Sequence, residues 1–374
     1  MKTCKAKRLS LVCCALAAVL ITAGCSKKDE DKPTKPVNKK PKIAKVGRKK
    51  LNVPKPGSLP KFPAAKIPAD NPQTPEKIAL GHQLFFDKRL SVDGSRSCYS
   101  CHKNENGNGG HLPNAIGAKN KKLSRHSPVI WNVAYMPALY WDGRAKSMEA
   151  QVKGAWAGGN MGVGKANLAK KATAIGKISG YAKQFKKVFP KAGATPDTIA
   201  KAISAFERTL ICKDTAYDKY AAGDANALTD DQKQGMALFM GKAQCISCHA
   251  PPLFSNSMGL PVPMFQNMGM GTKGVPEDKV DIGRMKITKK PEDWAAFKIP
   301  SLRNVAKAAP YFHNGSVKTL KEAVTTMAKG GIPNKNLSKL LGDRRLDDKA
   351  IDQLVAFITS LNCNKTIEQP KLPK

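Results

Sequence analysis

Apolar residues recur at spacings of three and four along most of this chain, and period-two alternation is rare, so the pattern predicts a mostly α protein. Pro75 and Glu76 open the first such run, with Ile78, Ala79, Leu84 and Phe85 on its apolar side. After an apolar, aromatic-bearing stretch from Pro128 to Tyr140, a short helix is predicted from Ser147. Between Leu168 and Tyr220 the rhythm continues through Phe185, Phe189, Ile199, Ile203, Phe206 and Leu210. Thr229, followed by Asp230 and Asp231, caps a further helix. Val317 to Met327 and Leu346 to Leu361 read as the last two. Loops interrupt the pattern at Gly107 to Gly117, at Gly158 to Gly164 and at the Met-, Pro- and Gly-rich stretch Met258 to Lys279, and Trp141-Asp142-Gly143-Arg144 marks a turn. Gly235-x-x-Leu238-Phe239 echoes Gly81-x-x-Leu84-Phe85, which predicts two related units.

The N-terminal segment follows a different pattern. A basic start (Lys2, Lys5, Lys7, Arg8) precedes an apolar run from Leu9 to Ile21 and then Thr22-Ala23-Gly24-Cys25. This reads as a bacterial export signal, too short for a membrane span. The small residues before Cys25 resemble a lipoprotein cleavage site, so a periplasmic protein anchored by a lipid on Cys25 is expected; Thr22, where such sites usually carry Leu, leaves plain cleavage as the alternative. Lys27 to about Pro68 is rich in Lys and Pro and poor in apolar residues, as a tether is. The expected segments are a signal peptide (1–24), a tether (25–70), a first domain (71–224), a second domain (225–363) and a tail (364–374).

Composition adds two constraints. The 374 residues suffice for two domains with separate cores, yet aromatic content is only 6%, so something else must supply apolar bulk. The formal net charge is +36. Scattered lysines in an exported chain suit an acidic redox partner or an anionic membrane face, and no nucleic-acid partner is expected.

The chemistry lies in a motif that occurs twice, Cys98-Tyr99-Ser100-Cys101-His102 and Cys245-Ile246-Ser247-Cys248-His249. C-x-x-C-H attaches a c-type haem: the two thiols bond to the vinyl carbons and the histidine ligates iron from one face. Structural zinc wants four convergent ligands, and each copy offers three adjacent ones. Two covalent haem c groups, in two cytochrome c-like domains packed together, are the expected cofactors and architecture. Outside the leader, Cys25 and the two motifs, Cys212 and Cys363 are left and could pair in an oxidising compartment. His82, His111, His126, His313 and twelve methionines are the candidate sixth ligands, and spacing alone does not choose among them.

From about Lys77 to Leu361 the chain resembles the bacterial di-haem cytochrome c peroxidases. The likeness rests on Leu84-Phe85-Phe86-Asp87-Lys88-Arg89-Leu90-Ser91, Trp141-Asp142-Gly143-Arg144, Phe206-Glu207-Arg208-Thr209-Leu210, Gly223-Asp224 with Ala227-Leu228, Gly283-Arg284, Pro300 to Val305 and Ala309 to Ser316, besides the two haem motifs. The same superfamily holds the di-haem enzyme that matures the tryptophylquinone of methylamine dehydrogenase. The resemblance implies that the His102 haem is the peroxidatic centre. It makes the haem of His249 and Met327 the high-potential centre that receives electrons. Trp141 matches the tryptophan between the haems. Met327 matches the axial methionine of the peroxidases, where the quinone-forming enzyme carries tyrosine. The family is often dimeric, so a homodimer is expected on the same ground.

Three positions depart from the family pattern. Many members carry a histidine after Gly117 that blocks the peroxidatic iron; here it is Ala118, which leaves that haem open unless His111 or His126 takes over. His126 stands where the family has a calcium-binding asparagine, while Pro310 keeps a carbonyl-donating position and Ala308 offers a second; an imidazole is the poorer ligand, so the expected calcium between the domains is weakened. The distal pair, a glutamine and a glutamate, becomes Gln151 and Asn160, and Asn160 cannot relay a proton; Glu149 is the candidate substitute. The expected function is reduction of hydrogen peroxide to water with electrons from a small c-type cytochrome or cupredoxin. The alternatives are a di-haem oxidase of a protein or organic substrate and a non-catalytic electron-transfer protein.

Overall fold

The computed structural model describes residues 51–374, so the expected signal peptide, Cys25 and the tether up to residue 50 lie outside the described residues. Ten α-helices are present among these, with one minimal antiparallel sheet. They are α1 (Pro75–Phe86), α2 (Met148–Ala157), α3 (Leu168–Gly176), α4 (Ser179–Val188), α5 (Pro196–Glu207), α6 (Ala216–Ala221), α7 (Asp230–Met240), α8 (Met285–Thr288), α9 (Leu320–Ala328) and α10 (Asp348–Thr359). β1 (Phe265–Gln266) pairs with β2 (Phe297–Lys298), Phe265 opposite Lys298. None of the helices is long and apolar enough to cross a membrane.

Side-chain caps set the helix starts. Thr74 caps α1, Ser147 α2, Thr195 α5, Thr229 α7, Thr319 α9 and Asp347 α10, each accepting a backbone N–H of the first turn. Thr319 therefore starts its helix at Leu320 rather than at Val317. The long helical run read from 168 to 220 is four helices, with Pro196 opening α5 at a position where its missing N–H costs nothing. In α1 the buried stripe is Leu80, Gly81, Leu84 and Phe85; Ile78 is only half-buried and Ala79 is exposed, because the stripe follows the helix that α1 crosses.

That crossing is made twice. α1 packs on α5 and α7 on α10. A methyl group on Gly81 would collide with the carbonyl oxygen of Ala202, and one on Gly235 with that of Gln353. Only glycine lets the two backbones approach so closely. The repeat extends further. Asn132 and Asn304 both have φ near +63°, and both bond a backbone N–H beyond the last helix of their half, that of Cys212 (2.8 Å) and of Cys363 (3.1 Å). Tyr140 and Phe312 share a positive φ, and the bridges Leu139 to Ala145 and Tyr311 to Val317 match. Cys212 and Cys363, at equivalent places in the two halves, form a disulfide with Cα atoms 5.7 Å apart.

Each half has its own apolar core, one around Leu84, Phe85, Ile199 and Phe206, the other around Phe239, Phe254, Leu354 and Phe357. Tyr217 and Tyr220 of α6 belong to the second core, so it begins upstream of the boundary expected at 225. The terminal segments cross over. Leu51, Val53 and Leu59, in the stretch expected as tether, pack on the second core, and Tyr220 bonds the Pro54 carbonyl at 2.8 Å. The expected tail returns to the first half: Ile367 is buried in its core and pairs with Asn104, and Arg89 donates to the Pro373 carbonyl.

Candidate functional site

His102 of the first C-x-x-C-H segment and Cys245, Cys248 and His249 of the second line one cavity of about 1100 Å3, which residues of both halves enclose. Ordinary small-molecule pockets run roughly 300–1,000 Å3. His102 lies 3.3 Å through Nδ1 from the Asn108 carbonyl, and His249 3.1 Å from that of Phe254. An Nδ1–H given to a carbonyl leaves Nε2 with its lone pair toward the cavity, the tautomer a metal-ligating histidine needs. Burial pushes both imidazoles down to about 4, so they are neutral. Burial also pushes the thiols of Cys98 and Cys245 up, so they are protonated rather than thiolate. Neutral thiols that converge on no common point suit thioether formation and not a zinc site; among the described residues no group of three or more His, Cys, Asp or Glu side chains is placed to share a metal.

The predicted sixth-ligand and distal residues separate clearly. On α9, Leu320, Ala323, Val324 and Met327 form the stripe that faces the cavity. Gln151, on α2, and Asn160, in the loop after it, line the wall of the first half. Ala118 does not: its N–H bonds the Asn160 carbonyl at 3.0 Å, and it is buried under that loop. His111 is exposed, 3.5 Å from the Asn106 amide, and lines no part of the cavity, so it is no substitute ligand here. His126 does line it, with Nδ1 2.8 Å from the Leu112 carbonyl and the ring kept neutral by burial. Glu149 fails as the substitute for the distal glutamate. It is tied to Arg208 at 2.6 Å and to Asn71 at 2.8 Å, away from the cavity. Burial alone would raise its pKa, but those partners outweigh burial and hold it down.

Trp141 joins the halves. Its Nε1 donates to the His126 carbonyl at 2.8 Å, its own carbonyl accepts from Lys298 N at 2.8 Å, and its ring meets His313 edge to face at 6.5 Å. His313 stacks on Phe297 at 3.6 Å. Beside them Arg125 pairs with Asp142 at 2.7 Å and Asp281 at 2.6 Å, and Arg144 pairs with Asp142 at 2.8 Å, so two guanidinium groups balance the two acids of this seam. Pro310 and Ala308 line the cavity nearby.

Comparison with known proteins agrees with this geometry. The family described as di-haem cytochrome c peroxidase matches residues 75–226. The cytochrome-c peroxidase IdrP1 of Pseudomonas sp. (strain SCT) is 36% identical over 338 residues, 84% of this chain and 89% of that protein. The chain belongs to the di-haem cytochrome c peroxidase family. The methylamine utilization protein MauG of Methylorubrum extorquens is 35% identical, over 82% of this chain and 84% of its own. A crystal structure of a MauG-like protein associated with microbial copper homeostasis superposes with a TM-score of 0.75 at 31% identity, covering 83% of this chain and 97% of that one.

Membership in the di-haem cytochrome c peroxidase family implies two c-type haems. The cavity fits them in charge as well as in donors. Lys298 is buried on its wall with no carboxylate partner among the described residues, and burial pulls its pKa down to about 8. A lone cation in such a place needs an anion, which a haem propionate supplies. A second buried charged group, Glu207 at the end of α5, also lines the cavity. Neither was marked as a site residue by the sequence. Glu207 sat inside a likeness motif and Lys298 inside no motif, and only the alignment of one half on the other singles Glu207 out.

Proposed function

We propose that this peroxidase-family protein reduces hydrogen peroxide to water, drawing electrons one at a time from a small c-type cytochrome or cupredoxin. The asymmetry of the two repeats carries the reading. Ser147 and Thr319 cap equivalent helices, so Met327 on α9 corresponds to Ala155 on α2, and Gln151 corresponds to Ala323. The second half thus presents a thioether to the same cavity as His249, and the first half presents none at that place. A methionine sulfur favours reduced iron and raises its potential, which suits the site of electron entry. The first half offers Gln151 and Asn160 instead, two amides that can donate and accept hydrogen bonds without ligating iron.

Bound haem supplies the redox chemistry. His102 and His249 would hold the two groups through Nε2, and Met327 would add a thioether ligand to the second. Gln151 and Asn160 bind and orient peroxide. Trp141, hydrogen-bonded to both halves, is the side chain placed for electron passage between them. Calcium has weak support in this chain, since the Nδ1 of His126 is committed to Leu112 and Arg125 and Arg144 already balance the seam carboxylates.

The test is stoichiometric. Mixing the reduced protein with peroxide and an excess of reduced cytochrome c should oxidise two donor equivalents per peroxide. Oxidation of an added organic or protein substrate with no donor turnover would replace this reading by the oxidase one. Met327→His should lower one midpoint potential by a measurable part of the ~0.8 V span that axial ligands command, leaving the other in place. Two unmoved potentials would remove Met327 from the iron.

A further inference from the structure

The loss of the distal glutamate leaves the peroxide pocket without a proton carrier at Asn160. Glu207 lines the same cavity as Gln151 and Asn160. It ends α5, the helix that packs on α2, and α2 carries Gln151. Its side chain is buried, only 8% of the residue being exposed, lines the cavity, and has no hydrogen-bond or ion-pair partner among the described residues. The other candidate acid, Glu149, is held by Arg208 and Asn71. Glu207 is not: Arg208, its chain neighbour, bonds Glu149 through Nη2, its Nη1 is buried without a partner, and it forms no ion pair with Glu207.

The repeat supplies an internal control. Phe206 and Phe357, Leu210 and Leu361, and Cys212 and Cys363 occupy equivalent places on and after α5 and α10, so Glu207 corresponds to Ile358. Ile358 lines the same cavity in the half that carries Met327. At one helix position, the electron-receiving half has a hydrocarbon and the peroxide-binding half has a carboxyl. Burying an unpaired carboxyl costs stability, and packing alone would favour the isoleucine.

We propose that Glu207 is the proton donor to peroxide in this protein, acting in the pocket formed with Gln151 and Asn160. This rests on the peroxidase reading above. The O–O bond breaks heterolytically. The leaving oxygen takes the Glu207 proton and departs as water. The other oxygen, already bearing one hydrogen, receives an electron pair from the enzyme's redox centres and one proton from solvent and becomes the second water. A reduced one-electron redox protein refills the centres, and the Glu207 carboxylate is reprotonated from solvent through the cavity.

The electrostatic surroundings support the acid form. Burial pushes Glu207 up to about 8, with Arg208 opposing and Glu149 adding to the rise. Cys98, on the haem-attaching loop, and Tyr140, whose hydroxyl donates to the Gln151 carbonyl at 3.0 Å, are near enough to respond to its carboxylate form. The group is therefore protonated at neutral pH and loses its proton as pH rises through about 8.

Two readouts on the ferric holoprotein test the assignment. Infrared difference spectra across pH, recorded without peroxide, read the carboxyl C=O stretch directly. The wild-type protein should lose a protonated-carboxyl band on the alkaline side; Glu207→Gln should lack that band and Glu207→Asp should keep one. Rapid mixing with H2O2 should then give a rate that falls as pH rises in the wild type. In Glu207→Gln the rate should be about 10²-fold lower and lack that alkaline limb. An unchanged limb and rate in Glu207→Gln would overturn the proposal. Should that variant fail to load haem, Glu207→Asp decides: a slower reaction with the limb kept supports the donor role, and an unchanged rate overturns it. If the wild type consumes no peroxide, the peroxidase reading fails and the donor role with it, while the infrared titration still reports whether Glu207 is a neutral buried acid.

Discussion

Individual side chains were legible in the sequence where covalent or coordination chemistry fixes the spacing. His102, Cys245, Cys248, His249 and Met327 line one cavity, and Cys98 and Cys101 are not among its lining residues. Charged partners far apart in the chain were not legible. Arg303 and Asp218 are an example: the Arg303 side chain is fully buried and bonds both carboxylate oxygens of Asp218 at 2.7 Å, and no local pattern pairs them. Burial would raise Asp218, but Arg303 and the Thr215 hydroxyl hold it below the ordinary aspartate value. Its contribution is therefore complete above that value and is lost as pH falls through the depressed one. Asp218→Asn should destabilise the protein by about 3 kcal/mol, since it strands a buried guanidinium, and should flatten the acid limb of a stability-versus-pH curve from denaturant melts. A variant as stable as the wild type at neutral pH, with the same acid limb, would contradict this account of the pair.

At the level of elements, helix positions followed from caps and periodicity, and the Gly81 and Gly235 echo correctly announced the repeat. Its physical cause, two backbones in contact, needs the partner helices, which the sequence does not place beside each other. The same is true of residues 51–63, whose lysines and prolines read as tether although Leu51, Val53 and Leu59 are covered by the second core. The repeat makes a sharp prediction. Gly235→Val should separate α7 from α10, and the loss should show as a lower melting temperature together with weaker haem retention by the second motif. Gly342→Val, at a glycine with open space around it and no positive φ, is the control for sterics. Equal effects at the two sites would mean that the helix crossing is not what holds this half.

For the whole molecule, one disulfide and two exchanged terminal segments bind the halves around a shared cavity. The bridge joins the segments that follow α5 and α10, one from each half. The proposed division of labour between the halves is the central claim: His249 and Met327 would both ligate the iron of the second, and His102 alone that of the first, with Gln151 and Asn160 left to peroxide. Low-temperature EPR of the fully oxidised protein, repeated after one equivalent of H2O2, tests it most directly. A high-spin ferric signal that disappears as peroxide is consumed is the expected result. Two low-spin signals untouched by peroxide would contradict the account, with His126 Nε2 as the side chain that closes the first iron.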